Sequence, residues 1–381
     1  MFTNSPIYVN TFIRSPFTTK SACIYLSVQA VGGKSVALKT LTARNIATTG
    51  CGAFFIDVEG EYTKLTKMLG GKVIKIAQGE SAGINPFELE PDTKGNKQFL
   101  NILDKVAEIR ALLATICRNY QGRTLNGTEI TETEIVVNQL YAEKGITSDV
   151  NSLFEKKGGK LDNGKYAVGK IPKKMPTLSD FQKKLKERNK CNELAELLVP
   201  FLKGNSLGIF DCESKINSDA EIVSFDMSEI KDEFTKLYAS FVILTWVWQK
   251  FVLKNKEKRK IIVCDEAWLF LKYQESAEFL VNVARRRSQV QCSIIHTVVN
   301  LLMNFYPVKN GKTIINICST RYLFKQSPGS VDEVVDFFNL SEGTKNFLTT
   351  ANPGECVISL NNSVTAIKFI ITDFEKQFVF T

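Results

Sequence analysis

The chain contains a single histidine, His296, among 381 residues. That scarcity argues against a histidine-based catalytic triad and against a histidine-ligated structural zinc site. There is no CxxC pair, and the nine cysteines are scattered from Cys23 to Cys356, so no zinc ribbon or disulfide framework is written in their spacing. Cys23, Cys264 and Cys292 lie inside apolar runs and read as small core residues in a reducing compartment. No secretory signal pattern is visible. Long apolar runs are missing as well. The most apolar stretch, Phe241–Leu253, is thirteen residues long and is interrupted by Thr245, Gln249 and Lys250. It is too short for a bilayer and is expected to be a buried helix.

The sequence does hold enough apolar material for a large core. Hydrophobic residues make up 44% and charged residues 23%, the balance of a globular protein rather than a disordered or collagen-like chain. A chain of this size buries roughly three quarters of the surface exposed by its unfolded form. The net charge of +9 is concentrated: residues 151–190 hold 12 Lys/Arg against 4 Asp/Glu, a net of +8. Such a district suits an anionic partner, whether nucleic acid, lipid or acidic protein; a solvated, lysine-rich excursion has the same composition. It lacks the interleaved aromatics of single-strand binders.

Along the chain, Ala22–Val28 reads as a strand, Lys34–Ala47 as a helix and Gly52–Asp57 as a strand buried on both faces. Tyr62–Leu69 then reads as a helix and Lys72–Ala77 as a strand. This alternation predicts a doubly wound, mainly parallel sheet. From about 96 to 205 the texture becomes helical, with an amphipathic helix over Asn101–Tyr120 and another over Thr131–Tyr141, capped by Thr131 with Glu134. Further helices are expected from Thr177 and over Cys191–Leu202, with a loop over Asp149–Met175. The α/β texture returns with strands at Ile222–Asp226, Lys260–Asp265, Ser293–Thr297, Thr320–Lys325, Cys356–Leu360 and Ala366–Ile371. Helices are expected at Thr235–Val252 and Ser276–Arg286. The sequence shows no internal repeat.

Gly32-Gly33-Lys34-Ser35 follows the first strand and opens a helix. Backbone N–H groups over 32–36 (Gly32, Gly33, Lys34, Ser35, Val36) would cradle the β- and γ-phosphates of a nucleotide. Lys34 would add positive charge, and Ser35 a hydroxyl for Mg²⁺. The complete pattern begins with glycine, and here Val28 stands in that place. An ordinary Gly-Gly turn at the start of a helix has the same local sequence. The strand Ile261–Cys264 runs into Asp265-Glu266, which supplies the missing half: Asp265 for Mg²⁺, Glu266 to polarise an attacking water. The two motifs together point to a nucleotide site.

With these motifs in place, the chain resembles the ATPase domain of type IV secretion and conjugation traffic ATPases, the TraC/TrbE-like family, and more distantly the HerA/FtsK group of P-loop motors. The matching residues are Gly33-Lys-Ser35, Asp57-Val-Glu-Gly-Glu-Tyr62, Gly70-Gly-Lys-Val73, Asn85-Pro-Phe87, Pro176-Thr-Leu-Ser-Asp180 and Phe225-Asp-Met-Ser228. They continue with Cys264-Asp-Glu-Ala-Trp268, Arg285-Arg-Arg287, Lys325-Gln326 and Asn339-Leu-Ser-Glu342. The resemblance implies an α/β fold with a RecA-like P-loop NTPase core over 1–95 and 206–381 and an inserted all-α subdomain over 96–205. It implies ATP and Mg²⁺ as cofactors, hydrolysis of the β–γ phosphoanhydride, and a homo-oligomer, hexameric when assembled. It further implies secretion-system partners and a cytoplasmic location peripheral to the inner membrane, with no transmembrane segment. Family members usually carry an N-terminal domain ahead of the ATPase domain. Here the first expected strand stands near the start, so that domain is either absent or has been removed.

The resemblance also frames the departures. The strand after Asp265-Glu266 usually ends in Thr-Gln; here it ends in His296-Thr297, with Thr297 in the place of the γ-phosphate-sensing Gln. A Thr hydroxyl is shorter, and His296 is a candidate substitute. Of Arg285, Arg286 and Arg287, one is expected to reach a neighbouring subunit's γ-phosphate, and Arg286 is the working choice; simple capping of a helix C-terminus is the alternative. Arg321 and Lys325 are further candidates. Glu59 and Glu61 lie at the carboxyl edge of the sheet, where Glu61 suits the metal shell, a neighbouring subunit or plain solvent. The reading is an ATP-driven motor domain of a type IV secretion system. The rivals are a DNA-translocating motor of the coupling-protein or HerA/FtsK type and a docking scaffold with weakened turnover, the latter favoured by Val28 and Thr297.

Overall fold

Seven of the expected apolar runs line up in parallel in the computed structural model, which describes residues 5–7, 9, 12, 23–28, 33–94, 97–155, 169–216, 220–254, 256–286, 290–299, 309–360 and 363–380. The chain forms two compact units. One comprises Met1–Lys75, Asp219–Leu237 and Lys256–Thr381; the other comprises Ile76–Ser218 and Tyr238–Asn255. The sequence reading drew the insert at 96–205, whereas the second unit begins at Ile76 and recruits a second, separate segment. The reason is packing: Ala82, Ile84, Phe87 and Leu89 before residue 96, and the apolar stretch after Tyr238, are buried.

The first unit begins with strand β1 (Cys23–Val28), helix α1 (Lys34–Thr49), β2 (Gly52–Asp57), α2 (Thr63–Met68) and β3 (Lys72–Lys75). In the second unit follow a hairpin of β4 (Pro91–Lys94) and β5 (Lys97–Leu100), helices α3 (Ile102–Gln121) and α4 (Gly127–Glu143), and the short pair β6 (Phe154–Glu155) and β7 (Ile171–Pro172). Helices α5 (Leu178–Arg188) and α6 (Asn192–Leu197) complete it up to residue 218. The chain then contributes β8 (Ile222–Asp226), α7 (Glu233–Val247), β9 (Lys260–Cys264), α8 (Gln274–Arg286), β10 (Cys292–Val299), β11 (Thr320–Leu323), β12 (Glu355–Leu360) and β13 (Ser363–Lys368). The division between units falls inside α7, which continues as a π-helical turn over Trp248–Leu253.

Nine of these strands form one sheet, in the order β13-β12-β11-β1-β10-β9-β2-β8-β3. From β11 to β3 all neighbours are parallel; β12 and β13 are antiparallel additions at one edge. This is the α/β, P-loop NTPase-like architecture the sequence predicts. Strand β2 is buried along its whole length, in keeping with its unbroken apolar run. Under α1 the core gathers Leu38, Phe55, Tyr62, Val263, Ile295 and Tyr322, with Phe378 and Val379 from the C-terminal helix Asp373–Val379. Parallel strands deliver their carboxyl ends to one edge, so Val28, Asp57, Asp226 and Cys264 finish there together.

Two local expectations are corrected. Helix α4 starts before Thr131: Asn126 accepts from the Glu129 N–H at 2.9 Å while Glu129 accepts from the Asn126 N–H at 2.8 Å. Thr131 sits inside the helix, its hydroxyl bonded to the Gly127 carbonyl at 2.9 Å. Asn126-Gly127 looks like a turn in sequence, yet an Asn before a helical run satisfies orphan N–H groups well. The helices Lys309–Ile317, Val331–Phe338, Glu342–Thr350 and Asp373–Val379 were not anticipated. All are short, with few apolar periods each.

Candidate nucleotide site

The loop between β1 and α1 meets the helix at Gly33, whose φ of +80° is left-handed and therefore suited to glycine. A Cβ on Gly33 would stand 3.1 Å from the Gly354 backbone nitrogen, a second reason for glycine. Gly32 lies outside the described residues. Val28 is the last residue of β1, in parallel register with Val299. Its backbone is thus extended, a conformation that favours β-branched residues, so Val28 is unstrained where the complete pattern has glycine. Helix α1 has no side-chain cap and no acid in its first turn. Its sixteen-residue dipole and the N–H groups of Lys34, Ser35 and Val36 are therefore open to an anion supplied from outside.

Lys34 reaches Asp265 Oδ1 at 3.0 Å and Glu266 Oε1 at 2.8 Å. Burial alone would lower the ammonium pKa, but the two carboxylates outweigh it and raise it above the ordinary lysine range. Asp265 follows β9 and is buried; its N–H donates to the Ile56 carbonyl of β2 at 3.3 Å. Glu266 is left-handed, with φ 54° and ψ 43°, an uncommon state for a residue with a side chain. Its other carboxylate oxygen, Oε2, accepts from the Trp268 indole N–H. Ser35 is half-buried in the first turn of α1, as is Val36.

A second layer of acids surrounds this trio. Asp57, fully buried, accepts from the N–H groups of Glu61 and Tyr62, both at 2.9 Å, and so folds the 57–62 turn back on itself. Burial pushes its carboxyl up to about 7, with Asp265 and Asp226 adding to the rise and the two N–H donors opposing it. Gly60, at φ +76°, lets this turn pass Ser228, whose Cβ would lie 3.0 Å from a Cβ there. Asp226 accepts from the Ser228 N–H at 3.0 Å and the Thr63 hydroxyl at 3.2 Å. These bonds explain the Asp57–Tyr62 and Phe225–Ser228 signatures as one interlocked support.

Among the described residues, two oxygens close to this layer find no hydrogen-bond partner: Glu61 Oε2 and the fully buried Tyr62 hydroxyl. Lys39, one turn beyond the site on α1, is buried and donates to the Val379 carbonyl at 3.3 Å. Burial lowers its pKa, with Glu61, Asp57 and Asp265 pulling the other way. The sequence reading assigned no role to Lys39, Asp226 or Trp268; only their places in the quoted motifs or helix could have marked them.

The remaining candidates are less concentrated. Arg286 ends α8 and its side chain lies outside the described residues, as does Arg287; Arg285 is exposed. Arg321 is engaged locally, donating to the Ile315 carbonyl at 3.4 Å with its guanidinium 5.5 Å from the Phe338 ring centre. Lys325 is exposed, and Glu59 pairs with Lys236 at 2.9 Å. His296 and Thr297 lie on β10, between β1 and β9, paired through the backbone with Tyr25, Leu26 and Cys264. Their side chains lie outside the described residues. Among those residues no group of three or more His, Cys, Asp or Glu side chains is arranged to hold a metal alone.

The TraG P-loop domain model matches residues 3–365 of this chain. The chain belongs to the TraG P-loop domain family. Within reach of that family, it is 22% identical over 402 aligned positions to the type IV secretion system protein CagE of Helicobacter pylori. That alignment covers 99% of this chain and 38% of CagE, so the chain spans well under half of this curated relative's length. Among solved structures, VirB4 of Thermoanaerobacter pseudethanolicus superimposes with a TM-score of 0.80 at 20% identity, covering 97% of this chain and 95% of that one. The plasmid coupling protein TrwB, solved with ADP and Mg²⁺, gives a TM-score of 0.55 at 12% identity over 92% of this chain and 85% of its own. At these identities the likeness establishes the fold, a P-loop NTPase core.

The family's other signatures have structural work in this TraG-like domain. Asn85 bonds the Pro176 carbonyl at 2.8 Å and takes the Phe87 N–H at 2.9 Å. Phe87 stacks near Phe181 at 5.8 Å between ring centres and receives the Tyr141 hydroxyl on its carbonyl at 2.6 Å. The Asn85–Phe87 and Pro176–Asp180 segments thus form one joint inside the second unit.

Proposed function

We propose that this chain binds Mg²⁺–ATP and hydrolyses its β–γ phosphoanhydride as the motor domain of a type IV secretion or conjugation system. The observation that carries this reading is Lys34, at the uncapped start of α1, held between Asp265 and Glu266 of the neighbouring β9 edge at 3.0 and 2.8 Å. A phosphate-binding lysine, a metal-binding aspartate and a water-orienting glutamate meet at one edge of a parallel sheet. The residues fit Mg²⁺–ATP: an uncapped helix N-terminus and a largely buried ammonium for phosphate, Ser35 and Asp265 for the metal. When bound, Mg²⁺ supplies charge neutralisation between the phosphates.

Each residue has its own task in this reading. The backbone of Gly32, Gly33, Lys34, Ser35 and Val36 holds phosphate oxygens. Lys34 exchanges its carboxylate partners for phosphate, and so releases Glu266 Oε1 to accept a hydrogen bond from water. Ser35 and Asp265 orient the metal. Arg286 is the candidate for a neighbouring subunit's site in a ring, assembled with secretion-system partners on the cytoplasmic side of the inner membrane. No helix among the described residues is long and apolar enough to cross a membrane. The DNA-translocating reading and the scaffold reading use the same fold and receive no separate support from the site.

Glu266→Gln tests the reading. Direct titration with a nucleotide analogue is expected to give unchanged affinity, while steady-state phosphate release falls by about a hundredfold or more. Wild-type protein that binds nucleotide without turnover would favour the scaffold; failure to bind would remove the nucleotide site altogether.

A further inference from the structure

Among the described residues, two side-chain donors of different kind meet the Glu266 carboxylate. Lys34 takes Oε1 at 2.8 Å, and the Trp268 indole N–H takes Oε2. The two holds respond differently to a nucleotide. Lys34 is a cation at the mouth of a helix N-terminus, shared with Asp265, and an arriving phosphate competes for it directly. The indole N–H is neutral and donor-only, so neither a metal ion nor a phosphate displaces it by charge.

Trp268 belongs to a different segment from the phosphate loop. It sits on the 3₁₀ turn Ala267–Lys272, whose Ala267, Leu269, Phe270 and Leu271 are buried. Glu266 itself stands in a left-handed conformation that persists only where its surroundings over-determine it. Release by Lys34 takes one of these holds away from the carboxylate. With Trp268 on Oε2 it retains one anchored oxygen and turns the other toward the vacated ammonium position.

We propose that Trp268 is a positioning residue for the Glu266 carboxylate, keeping Oε2 bound so that Oε1 stays aimed when Lys34 moves to phosphate. The inference rests on the ATPase reading, yet the contact can be tested without turnover. Trp246 and Trp248 both lie in the second unit, so Trp268 is the tryptophan of the nucleotide-binding unit.

The test combines kinetics with the indole N–H resonances of ¹⁵N-labelled protein, Trp268 being assigned by its loss in Trp268→Phe. In that variant kcat is expected to fall about ten- to a hundredfold, with KM and direct nucleotide affinity within about twofold of wild type. The wild-type Trp268 resonance is expected to move on Glu266→Gln and to keep its place when Mg²⁺ and a non-hydrolysable ATP analogue are added. Unchanged kcat in Trp268→Phe overturns the proposal. So does a parallel loss of kcat and affinity, which would make Trp268 a structural support of the whole site. A resonance that shifts with the analogue to its Glu266→Gln position overturns it too, since the anchor would then leave with Lys34. If the wild type shows no turnover, the ATPase reading fails by itself, and a Trp268 resonance insensitive to Glu266→Gln separately disproves the anchor.

Discussion

Asp57 shows how a single side chain records its surroundings. In an unfolded chain its carboxyl titrates near ~3.9. In the native state burial lifts it to about 7, so between those values the folded protein binds a proton that the unfolded chain does not. Stability from this group therefore declines as pH rises through that window and levels off above it. Glu132 and Glu375 act oppositely. Hydrogen bonds from Arg188 and Arg44 hold them at about 2, so their stabilisation is full above the unfolded value and lost only as pH falls toward 2. The windows barely overlap. Asp57→Asn is expected to flatten the dependence of the urea midpoint between about pH 4 and 7, measured with a chelator present. An unaltered slope would show that Asp57 is not the proton-binding group.

At the scale of elements, the strands were legible because burial on both faces leaves continuous apolar runs, as in Gly52–Asp57 and Lys260–Cys264. Boundaries were less legible. The long helix after residue 233 was read as one element, whereas α7 gives way to a π-turn at Trp248; hydropathy does not distinguish the two hydrogen-bonding patterns. Helix α4 gives a test of capping. Asn126→Ala removes one half of its capping box and is expected to cost about 1 kcal/mol in denaturant unfolding of the second unit, with Asn126→Ser restoring most of it. No loss would mean that the bidentate Arg123–Glu129 pair, at 2.7 and 2.8 Å, holds the helix start unaided.

For the whole molecule, the basic district from 151 to 190 reads in sequence either as one contact surface for an anionic partner or as a solvated, lysine-rich excursion. Many of its described cations are instead spent inside the second unit. Arg188 and Lys190 pair with Glu132, Lys184 with Glu143 and Glu187, and Lys174 with Glu213. Lys173 caps the carbonyls of Lys144 and Gly145 at 2.8 and 3.1 Å. The residues 156–168 of that district lie outside the described set. Assembly is the other question at this scale. If Arg286 completes a neighbour's site, Arg286→Ala and Glu266→Gln, each inactive alone, are expected to recover partial phosphate release when mixed, because mixed rings contain some intact sites. No recovery at any mixing ratio would assign Arg286 to its own subunit or to helix capping.

Sequence alone determined the class of fold, the order of its strands along the chain and the chemical inventory of the site. Apolar runs, Gly33-Lys34-Ser35 and Asp265-Glu266 are local patterns, and local patterns follow from backbone sterics, helix dipoles and burial period. Tertiary structure decided what those patterns meet. Residues 34 and 265 become hydrogen-bonded because β1, β10 and β9 lie side by side and parallel, so that all three strands end at one edge. The rise of Asp57, the anchoring of Glu266 by Trp268 and the internal use of the basic district likewise depend on distances between segments far apart in the chain. Electrostatic energy falls with separation through space, and sequence order does not specify that separation.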